Sequence, residues 1–595
     1  MIKMSLLNSQ VTHYHNLLSI VQNHRTYLDT SVTGAGKTYV SLILARDLGM
    51  DVFVVAPKST LNNWLQVANE VSVNIIGAIT YHAFRGTKDQ VKQHNFLTID
   101  KSREFAPTTN LLNTQNTLFV FDESHSFKNY NTSTRRAVST LVKGMTDSCR
   151  AAFLSASPFD KKEHAKSYLM CSGIISFPKF YEYDYTNHEY DHMGTIELVN
   201  YIENVDPAQK EQIVNSPEKI NSYNLNQVCY DIFTNVFKAY QSSSADGCGP
   251  SVDGKHVFTS FPSRYQPLIS SAISNLRISK TTDSYGRTQM DFRKMRLGMQ
   301  MLEFAKVPGL IHMVERIYSQ DRHGKIIIYL EFKKSKYLLK DYLHKMGYRC
   351  EIIDGDVSAE ERGRIMNDFQ RPDEKLRIVT TSTGVGGIGI DLDDKTGNWP
   401  RYVLVNPHYN FINQLQAKGR VSRADTKSTP FIRFVYARDG ERKILDNIRS
   451  KSSVTRSSRN INDLTMIGDF DECYDSEDSL AETIYPSVET IDEDTDTNQT
   501  IDELVEALMG EALQTNGSED NEDTGESSYQ QCLSSISSEY HDSDICPISL
   551  DEIESKVFTN CCKNAFDHAN ISQWLEYKNE CPLCRRSVTE LISRE

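Results

Sequence analysis

Short apolar runs recur along two stretches of the chain, and each run is followed by polar or turn-forming residues. Runs of this kind, rich in β-branched and aromatic residues, are typical of buried parallel strands. In residues 1–175 the runs are Val52–Ala56, Val73–Ile76, Leu118–Phe121 and Ala151–Leu154. In residues 306–460 they are Lys325–Leu330, Arg349–Ile353, Leu376–Thr380, Tyr402–Val405 and Phe431–Tyr436. Helical periodicity lies between the runs, so the pattern predicts an α/β protein with two lobes, each a parallel sheet flanked by helices.

Three other regions depart from this alternation. Residues 176–305 are rich in Tyr, Asn and Ser and have irregular periodicity, which predicts a partly helical insertion between the lobes. Residues 461–541 are poor in aromatic residues and rich in acidic ones. Because such a segment cannot bury enough apolar surface to offset the entropy of ordering, we predict an acidic disordered linker. Residues 542–595 contain a cysteine cluster and are predicted to form a small separate domain.

Charge is distributed unevenly along the 595 residues, whose net charge is −14. Residues 461–545 contain 25 Asp and Glu and no Lys or Arg, whereas residues 1–460 contain 59 basic and 46 acidic residues, a net charge of +13. The basic body is compatible with a polyanionic partner such as nucleic acid, although charge alone does not identify one.

The sequence also excludes some classes of protein. There is no run of 18 or more apolar residues, and Met1–Asn8 lacks the charged-then-apolar pattern of a signal peptide. We therefore predict an intracellular protein with no membrane partner.

Five of the 12 cysteines are scattered singly, as is usual in a reducing compartment. Five others lie in the last 50 residues, and such a cluster favours a metal site over disulfides.

A glycine-rich segment near the N-terminus has the composition of a phosphate-binding loop, or P-loop. It reads Thr33-Gly34-Ala35-Gly36-Lys37-Thr38 and precedes a helix-compatible run, Tyr39–Leu48. Small residues allow backbone N–H groups to close around phosphates, Lys37 can reach the β- and γ-phosphates, and the Thr38 hydroxyl can ligate Mg²⁺. Ser31 stands where the full pattern has Gly, and a glycine-rich turn without a ligand is the alternative.

A pair of carboxylates follows the predicted strand Leu118–Phe121. Asp122 can hold Mg²⁺ through its water shell, and Glu123 can polarise the attacking water. Acidic pairs at strand ends are common on protein surfaces, but this one supplies what the P-loop lacks. The two segments together predict that the chain binds and hydrolyses a nucleoside triphosphate.

Further segments, taken with these two, resemble the sequence motifs of superfamily 2 helicases and translocases in the Swi/Snf-like ATPase branch. They follow the order of that family along the chain: Thr33–Thr38, Ala56–Trp64, Asp122–His125, Ser155–Pro158, Ser382–Leu392, and Gln416 with Gly419, Arg420 and Arg423. The resemblance covers residues 10–170 and 306–440. It implies two tandem RecA-like lobes that hydrolyse ATP with Mg²⁺ and move along a nucleic acid, and for this branch the expected partner is double-stranded DNA.

The last of these segments contributes Gln416, Arg420 and Arg423 to the expected catalytic set. Two arginines three residues apart on a helix share one face, so both guanidinium groups can meet the γ-phosphate from across the cleft between the lobes. The alternative is a solvated basic helix face.

Two departures from the family pattern leave alternatives open. Tyr14-His15 stands where motors that read adenine have Gln, and Ala424-Asp425-Thr426 replaces the remodeller-like residues after Arg423. The first departure leaves the base of the nucleotide open, and the second leaves the exact branch open. A helicase that unwinds DNA or RNA in replication or transcription is the alternative function. The chain also resembles helicase-like proteins of large DNA viruses, so the nucleus and a cytoplasmic viral replication site are both open as locations.

The cysteine cluster at the C-terminus has metal-binding spacing. Cys581-Pro582-Leu583-Cys584 is a metal-binding knuckle, and the segment around it resembles a RING-type zinc finger. The resemblance places the eight ligand positions at Cys546, Ser549, Cys562, Asn564, Asp567, Asn570, Cys581 and Cys584.

One of the two zinc sites of such a finger keeps suitable ligands here. The resemblance assigns Cys546, Ser549, Asp567 and Asn570 to the first site, and this set is too hard and too poor in thiolate for structural zinc. The second site keeps Cys562, Cys581 and Cys584, with Cys561, His568 or a shifted residue as the candidate fourth ligand. We therefore predict one Zn²⁺, with a hydrogen-bonded polar network in place of the other, as in SP-RING and U-box relatives.

The finger implies a partner of its own. A ubiquitin- or SUMO-conjugating enzyme is expected to bind it through Ile548, Trp574 and Pro582, which would make the protein a ligase that the motor positions on DNA. A structural or protein-docking finger and an unmetallated remnant of a finger are the alternatives.

Overall fold

Two six-stranded parallel sheets organise the chain in its computed structural model. The structure describes residues 6–86, 94–99, 104–184, 189–242, 250, 252–259, 266–278, 280–282, 288–290, 292–383, 392–407, 412, 417, 419–423, 426–437, 441–458, 553, 555–561, 564–577, 581 and 587–593. The predicted acidic linker, residues 461–541, lies outside these residues, as do Gln416, Cys562, Cys584 and most of Ser382–Leu392.

The strands are β1 Thr26–Asp29, β2 Asp51–Val55, β3 Ile75–Ile79, β4 Leu97–Ile99, β5 Phe105–Pro107, β6 Thr117–Asp122, β7 Arg150–Leu154, β8 Glu182–Asp184, β9 Glu189–Asp191, β10 Gln241–Ser242, β11 Asp253–Thr259, β12 Lys280–Thr282, β13 Thr288–Met290, β14 Lys325–Tyr329, β15 Cys350–Ile353, β16 Ile378–Thr381, β17 Arg401–Val405, β18 Phe431–Ala437, β19 Lys556–Thr559, β20 Ala565–Asp567 and β21 Leu591–Ile592.

The helices are α1 Asn8–Asn23, α2 Lys37–Asp47, α3 Leu61–Val71, α4 Tyr81–Arg85, α5 Thr109–Asn113, α6 Ser133–Gly144, α7 Ala165–Cys171, α8 Met193–Val205, α9 Pro207–Ile213, α10 Leu225–Asn235, α11 Gln266–Ile278, α12 Phe292–Gln320, α13 Lys333–Lys345, α14 Ala359–Gln370, α15 Arg442–Ser457 and α16 His568–Tyr577. Within the part of the chain that the structure describes, no helix combines the length and the apolar character needed to cross a bilayer.

The first sheet has the strand order β10-β1-β7-β6-β2-β3, and each neighbouring pair is parallel. Successive side chains of a strand point to opposite faces, so a strand with helices on both faces feeds two cores. Along β6, Leu118 and Val120 enter one hydrophobic core, whereas Phe119 and Phe121 enter the other. The prediction of parallel strands in this region is confirmed, and we call this sheet with its packed helices the first lobe.

The second sheet has the strand order β11-β18-β17-β14-β16-β15 and is also parallel throughout. Its central strand β14 divides its side chains in the same way: Ile326 and Ile328 enter one core, and Ile327 and Tyr329 enter the other. All five runs predicted in this region form strands, and this sheet with its helices is the second lobe.

Residues 176–305, predicted as an insertion, are divided between the two lobes. Strand β10 extends the first sheet beside β1, and helices α8 and α10 pack in the first lobe's core. Strand β11 pairs with β18 along seven residues, and α11 packs with α12 on the second core. The boundary placed at residue 305 falls inside the 29-residue α12, which is buried along most of its length and so shows no one-sided apolar stripe in the sequence.

The described C-terminal residues form an antiparallel sheet, β20-β19-β21, with α16 following β20. Their core contains Phe566 and Ile571, and Met295 of α12 is buried in the same cluster. This small domain therefore packs on the second lobe through the N-terminal part of α12.

Candidate ATP-hydrolysis site

The P-loop connects β1 to α2 at the carboxyl edge of the first sheet. Gly34 and Gly36 have φ of +84° and +82°, a conformation that glycine adopts without a steric penalty. At Gly36 a Cβ would also collide with the side-chain amide of Gln10. Helix α2 begins directly at Lys37, and within the described structure no side chain caps its first turn. The first N–H groups of α2 and the loop therefore form a cradle for an anion.

Lys37 points back into this cradle. Its Nζ donates to the carbonyl oxygens of Ser31 and Val32, at 2.9 and 3.1 Å. Thr38 follows in the first turn and is partly exposed. Backbone donors, one ammonium group and one hydroxyl suit a triphosphate with its Mg²⁺, so these residues fit the cofactors that the sequence predicts. When bound, Mg²⁺ would neutralise charge on the β- and γ-phosphates.

Asp122 ends β6, two strands along from β1 in the same sheet. Its Oδ2 accepts a hydrogen bond from Trp64 Nε1 at 2.9 Å, and its carbonyl oxygen accepts one from Tyr81 Oη at 2.8 Å. Helix α3 thus holds the carboxylate and α4 holds the backbone of Asp122, so the position of this residue depends on two helices as well as on its own strand.

Glu123 has φ 51° and ψ 54°, a left-handed conformation that costs a residue other than glycine on the order of 1–3 kcal/mol. The turn brings its Oε2 to 3.3 Å from His125 Nδ1. Ser155, which follows the intervening strand β7, lies with its Oγ 3.4 Å from the same nitrogen. A strained backbone conformation therefore places Glu123 in a polar cluster with His125 and Ser155.

The two carboxyl groups differ in acidity. Burial and the adjacent charge of Glu123 raise the pKa of Asp122 to about 6. Burial acts in the same direction on Glu123, but the hydrogen bond from His125 and the positive charges of His125, Lys37 and Arg420 outweigh it and lower its pKa to about 2. Glu123 is therefore a carboxylate at neutral pH and can orient and polarise a water molecule.

The second lobe contacts the P-loop through residues 419–423. Gly419 faces Thr33 so closely that a Cβ there would collide with the threonine side chain. A Cβ at Gly34 would lie 3.1 Å from the Ser422 carbonyl oxygen and 3.7 Å from Arg423 Cα. Arg420 is close enough for its charge to act on Glu123. The structure thus brings both predicted arginines to the P-loop from across the cleft, whereas Gln416 lies outside the described residues.

Two residues at this site were missed in the sequence. Gln10 Nε2 donates to the Ala35 carbonyl oxygen of the P-loop at 3.0 Å. His13 Nε2 lies 3.0 Å from Ser31 Oγ and 3.0 Å from Asp29 Oδ2. Gln10 and His13 are three positions apart on α1 and share one face, a spacing that could have indicated them.

Tyr14-His15 stands where motors that read adenine have Gln, and its contacts differ from those of Gln10 and His13. Tyr14 donates to Asp47 Oδ2 at 2.7 Å, and His15 is exposed. The residues of α1 that hold the loop are therefore Gln10 and His13, which precede Tyr14-His15 in the helix.

A phosphate-binding loop, an acidic pair two strands away and arginines from a second lobe define the class: an ATP-hydrolysing motor with two α/β lobes. Comparison with protein families agrees. Residues 3–154 match the family described as the type III restriction enzyme res subunit, and residues 307–425 match the helicase conserved C-terminal domain.

Individual relatives show the same similarity over longer stretches. A protein of Acanthamoeba polyphaga mimivirus named as an ATP-dependent RNA helicase is 24% identical over 461 residues, 74% of this chain and 81% of that protein. Chromodomain-helicase-DNA-binding protein 8 of Danio rerio is 21% identical over 71% of this chain, which spans 18% of that relative. DNA repair protein RAD5 of Cryptococcus neoformans is 25% identical over 31% of this chain, which spans 16% of its length.

Among solved structures, the SWI2/SNF2 ATPase core of Sulfolobus solfataricus in complex with double-stranded DNA aligns with 73% of this chain and 88% of its own, at 13% identity and a TM-score of 0.28.

The chain is thus an ATP-hydrolysing enzyme of the helicase or translocase type, and its two matched regions are similar to a restriction-enzyme res subunit and to a helicase C-terminal domain. The prediction of an ATP hydrolase is confirmed. The roles of individual residues, from Thr33 to Thr38 through Asp122, Glu123, Arg420 and Arg423, stay predictions that the geometry supports.

Lys37→Ala removes the ammonium group of the P-loop. We expect ATP turnover to fall by on the order of 10²-fold or more, the loss typical of removing one charge-stabilising donor from a catalytic site. Steady-state ATP hydrolysis by the purified chain measures this, with the exposed Lys375→Ala as the matched control. Turnover by Lys37→Ala at the wild-type rate would contradict the assignment of the site.

Proposed function

We propose that the protein uses ATP hydrolysis to move along double-stranded DNA without separating the strands. The observation that carries the proposal is a second anion-binding helix terminus, at α3, which is joined directly to the ATP site.

Helix α3 spans 11 residues, and its N-terminal turn is open to an anion. Thr60 precedes it, but the threonine hydroxyl donates to the Pro57 carbonyl oxygen at 3.1 Å, and within the described structure no side chain caps the helix. Ser59 Oγ is buried, with no hydrogen-bond partner among the described atoms. Lys58 beside it is exposed. Free N–H groups, an unpaired hydroxyl and a lysine are the donors that a backbone phosphate requires.

The same helix reaches the ATP site. Trp64, in the first turns of α3, donates to the carboxylate of Asp122. A phosphate bound at Ser59 would therefore lie at the N-terminal end of α3. Trp64 of the same helix positions Asp122, the proposed magnesium ligand. Contacts made to phosphates alone tolerate any base sequence, which suits a motor that advances along DNA.

Duplex DNA is the proposed form of the nucleic acid because Ala56–Trp64 resembles the Swi/Snf form of this motif. The net charge of +13 on residues 1–460 suits any nucleic acid. The Danio rerio relative is named a DNA-binding protein. A helicase acting on RNA is the second candidate, favoured by the name of the mimivirus relative.

Stimulation of ATP hydrolysis by different nucleic acids separates the two candidates. We expect duplex DNA to raise the ATPase rate more than single-stranded DNA or RNA does, since the proposed motor follows one strand of an intact duplex. The three polymers are compared at equal nucleotide concentration and equal salt. A preference for RNA or for single strands would replace the proposal with an unwinding helicase.

Variants at α3 test the phosphate site in the same assay. Ser59→Ala is expected to raise the DNA concentration for half-maximal stimulation by about tenfold, the effect of losing one hydrogen bond to a charged group. Lys58→Ala should reduce the slope of log affinity against log salt by about 1. Lys375→Ala serves as the control, and unchanged DNA dependence in both α3 variants would place the nucleic acid elsewhere.

The C-terminal domain is proposed to hold one Zn²⁺. Cys581 is buried beside Thr559, and Cys561 is partly exposed. Cys562 and Cys584 lie outside the described residues, and the described residues alone contain no group of three candidate ligands. The thiolates that these two cysteines would add to Cys581 make a soft donor set that suits zinc.

Hydrogen bonds around Asp567 support a polar network in place of the first zinc site. Asp567 Oδ2 accepts from the Ser555 N–H at 2.8 Å, and Oδ1 accepts from the N–H groups of Ala569 and Asn570 at 3.1 and 3.4 Å. This carboxylate therefore links the start of α16 to Ser555, which directly precedes β19. His568 begins α16, and its N–H donates to the Ser555 carbonyl oxygen.

A conjugating enzyme is the proposed partner of this domain, with a protein-docking role as the alternative. Of the three expected contact residues, Ile548 and Pro582 lie outside the described residues. Trp574 is partly buried and packs against the cluster that includes Met295. A partner that uses Trp574 would therefore dock next to α12.

Metal analysis of the purified full-length protein tests the zinc proposal. We expect one zinc per chain, and less than a tenth of that in Cys581→Ser and Cys584→Ser, because three thiolates hold the ion. Cys248→Ser, a cysteine outside the cluster, should retain it. Comparison of Cys561→Ser with His568→Ala identifies the fourth ligand. Wild-type protein with no zinc, or with two ions, would contradict the model.

A further inference from the structure

Helix α15 leaves the second lobe at one end and contacts the first lobe at the other. At its start, Glu441 accepts a hydrogen bond from Lys306 Nζ at 2.7 Å and from the Ala437 N–H at 2.7 Å. Lys306 and Glu441 are 1% and 2% exposed, so this ion pair is inside the second lobe. The start of α15 is therefore fixed to α12 and to the end of β18.

The far end of α15 is fixed to the first lobe. Thr455 Oγ1 donates to the Phe159 carbonyl oxygen at 3.0 Å, just after the Ser155–Pro158 segment. Gln241 Nε2 lies 2.9 Å from the Ser458 carbonyl oxygen and 2.8 Å from Thr30 Oγ1. Because Thr30 precedes Ser31, these contacts join the end of α15 to the start of the P-loop.

A buried charged cluster lies between these two contacts. Asp160 is 4% exposed, and its carboxylate is 3.4 Å from Lys128 Nζ, 3.4 Å from His164 Nδ1 and 3.5 Å from Lys451 Nζ of α15. Lys128 and His164 belong to the first lobe, whereas Lys451 comes from the second. Lys128 is six residues after Asp122 in the chain.

Asp160 stays ionised in this setting. Burial favours its neutral form, but the charges of Lys128 and Lys451 and the hydrogen bond with His164 outweigh burial and hold its pKa well below the usual range. A buried carboxylate needs these partners, so Lys451 is held at a fixed distance from the loop that follows Ser155–Pro158.

We propose that Asp160 is a positioning residue for ATP hydrolysis and that it acts through Lys451 and α15 to hold the second lobe, with Arg420, against the P-loop. A helix of 16 residues is about 24 Å long and stiff, so fixing both its ends sets the distance between the lobes. Asp160 contacts neither the P-loop nor the acidic pair in the described structure, and it is not a catalytic residue. The proposal rests on ATP hydrolysis alone and is independent of the nature of the nucleic acid.

The test separates positioning from nucleotide binding and from folding. Lys451→Met should lower kcat for ATP about tenfold, with KM for ATP within twofold of wild type, because the P-loop of the first lobe is unchanged. Lys451→Arg keeps the charge and should restore at least half of the wild-type kcat. Lys375→Met is the exposed control. The assay is run without nucleic acid, at one salt concentration, beside a thermal unfolding curve for each variant.

A double-mutant cycle tests the link between the two residues. Asp160→Asn should lower kcat strongly in the wild type but by less than twofold in the Lys451→Met background, since both changes break the same contact. Three results would overturn the proposal: wild-type kcat in Lys451→Met, a raised KM with unchanged kcat, or multiplicative effects in the double variant. Loss of activity in Lys451→Arg equal to that in Lys451→Met, with the same fall in unfolding temperature, would show a structural role only and would also overturn it.

Discussion

The close approach of residues 419–423 to the P-loop is the contact on which the site depends. It is possible because Gly34 and Gly419 have no side chains: a Cβ at Gly419 would collide with Thr33, and one at Gly34 would press on the Ser422 carbonyl oxygen. With backbone against backbone, Arg420 and Arg423 lie beside the loop that would hold the phosphates. Guanidinium groups so placed have the charge and geometry that would stabilise the charge developing during phosphoryl transfer.

Each half of the site is supported by a rigid lobe. In the first lobe, Gln10 and His13 of α1 form hydrogen bonds with the P-loop. Trp64 and Tyr81 donate hydrogen bonds to Asp122. The second lobe carries its arginine segment on a sheet with buried residues on both faces. Since close-packed cores resist deformation, each lobe can move only as a unit, within the distance between the lobes that α15 sets. That movement is what a motor needs from ATP.

Much of this arrangement could be predicted from the sequence, for identifiable reasons. Most of the buried strands carry continuous apolar runs, although β1, which reads Thr-Tyr-Leu-Asp, does not and was missed. Gly34, Gly36, Lys37 and an acid at a strand end are the residue types that phosphate chemistry favours. Strand β10 could not be predicted, because it has two residues and gains its pairing only from the folded first sheet. Strand β11 and α12 were hidden in residues 176–305 because long-range packing, and not local periodicity, places them.

Residues that act through others were the hardest to predict. Gln10 and His13 contact the P-loop across more than 15 positions of sequence, and the bond from Trp64 to Asp122 spans 58. Polar residues such as Asp160 look like ordinary surface positions until the fold buries them. This part of the site was not predicted because its residues lie far apart along the chain and have no unusual composition around them.

We expect ATP hydrolysis to require an arginine from the second lobe. The most direct test is single-turnover hydrolysis by Arg420→Gln, measured together with the dissociation constant for ATP and compared with the exposed Arg371→Gln. We expect the hydrolysis rate to fall by on the order of 10³-fold or more, while ATP binding changes little because the P-loop is intact. Hydrolysis at the wild-type rate in Arg420→Gln would contradict it.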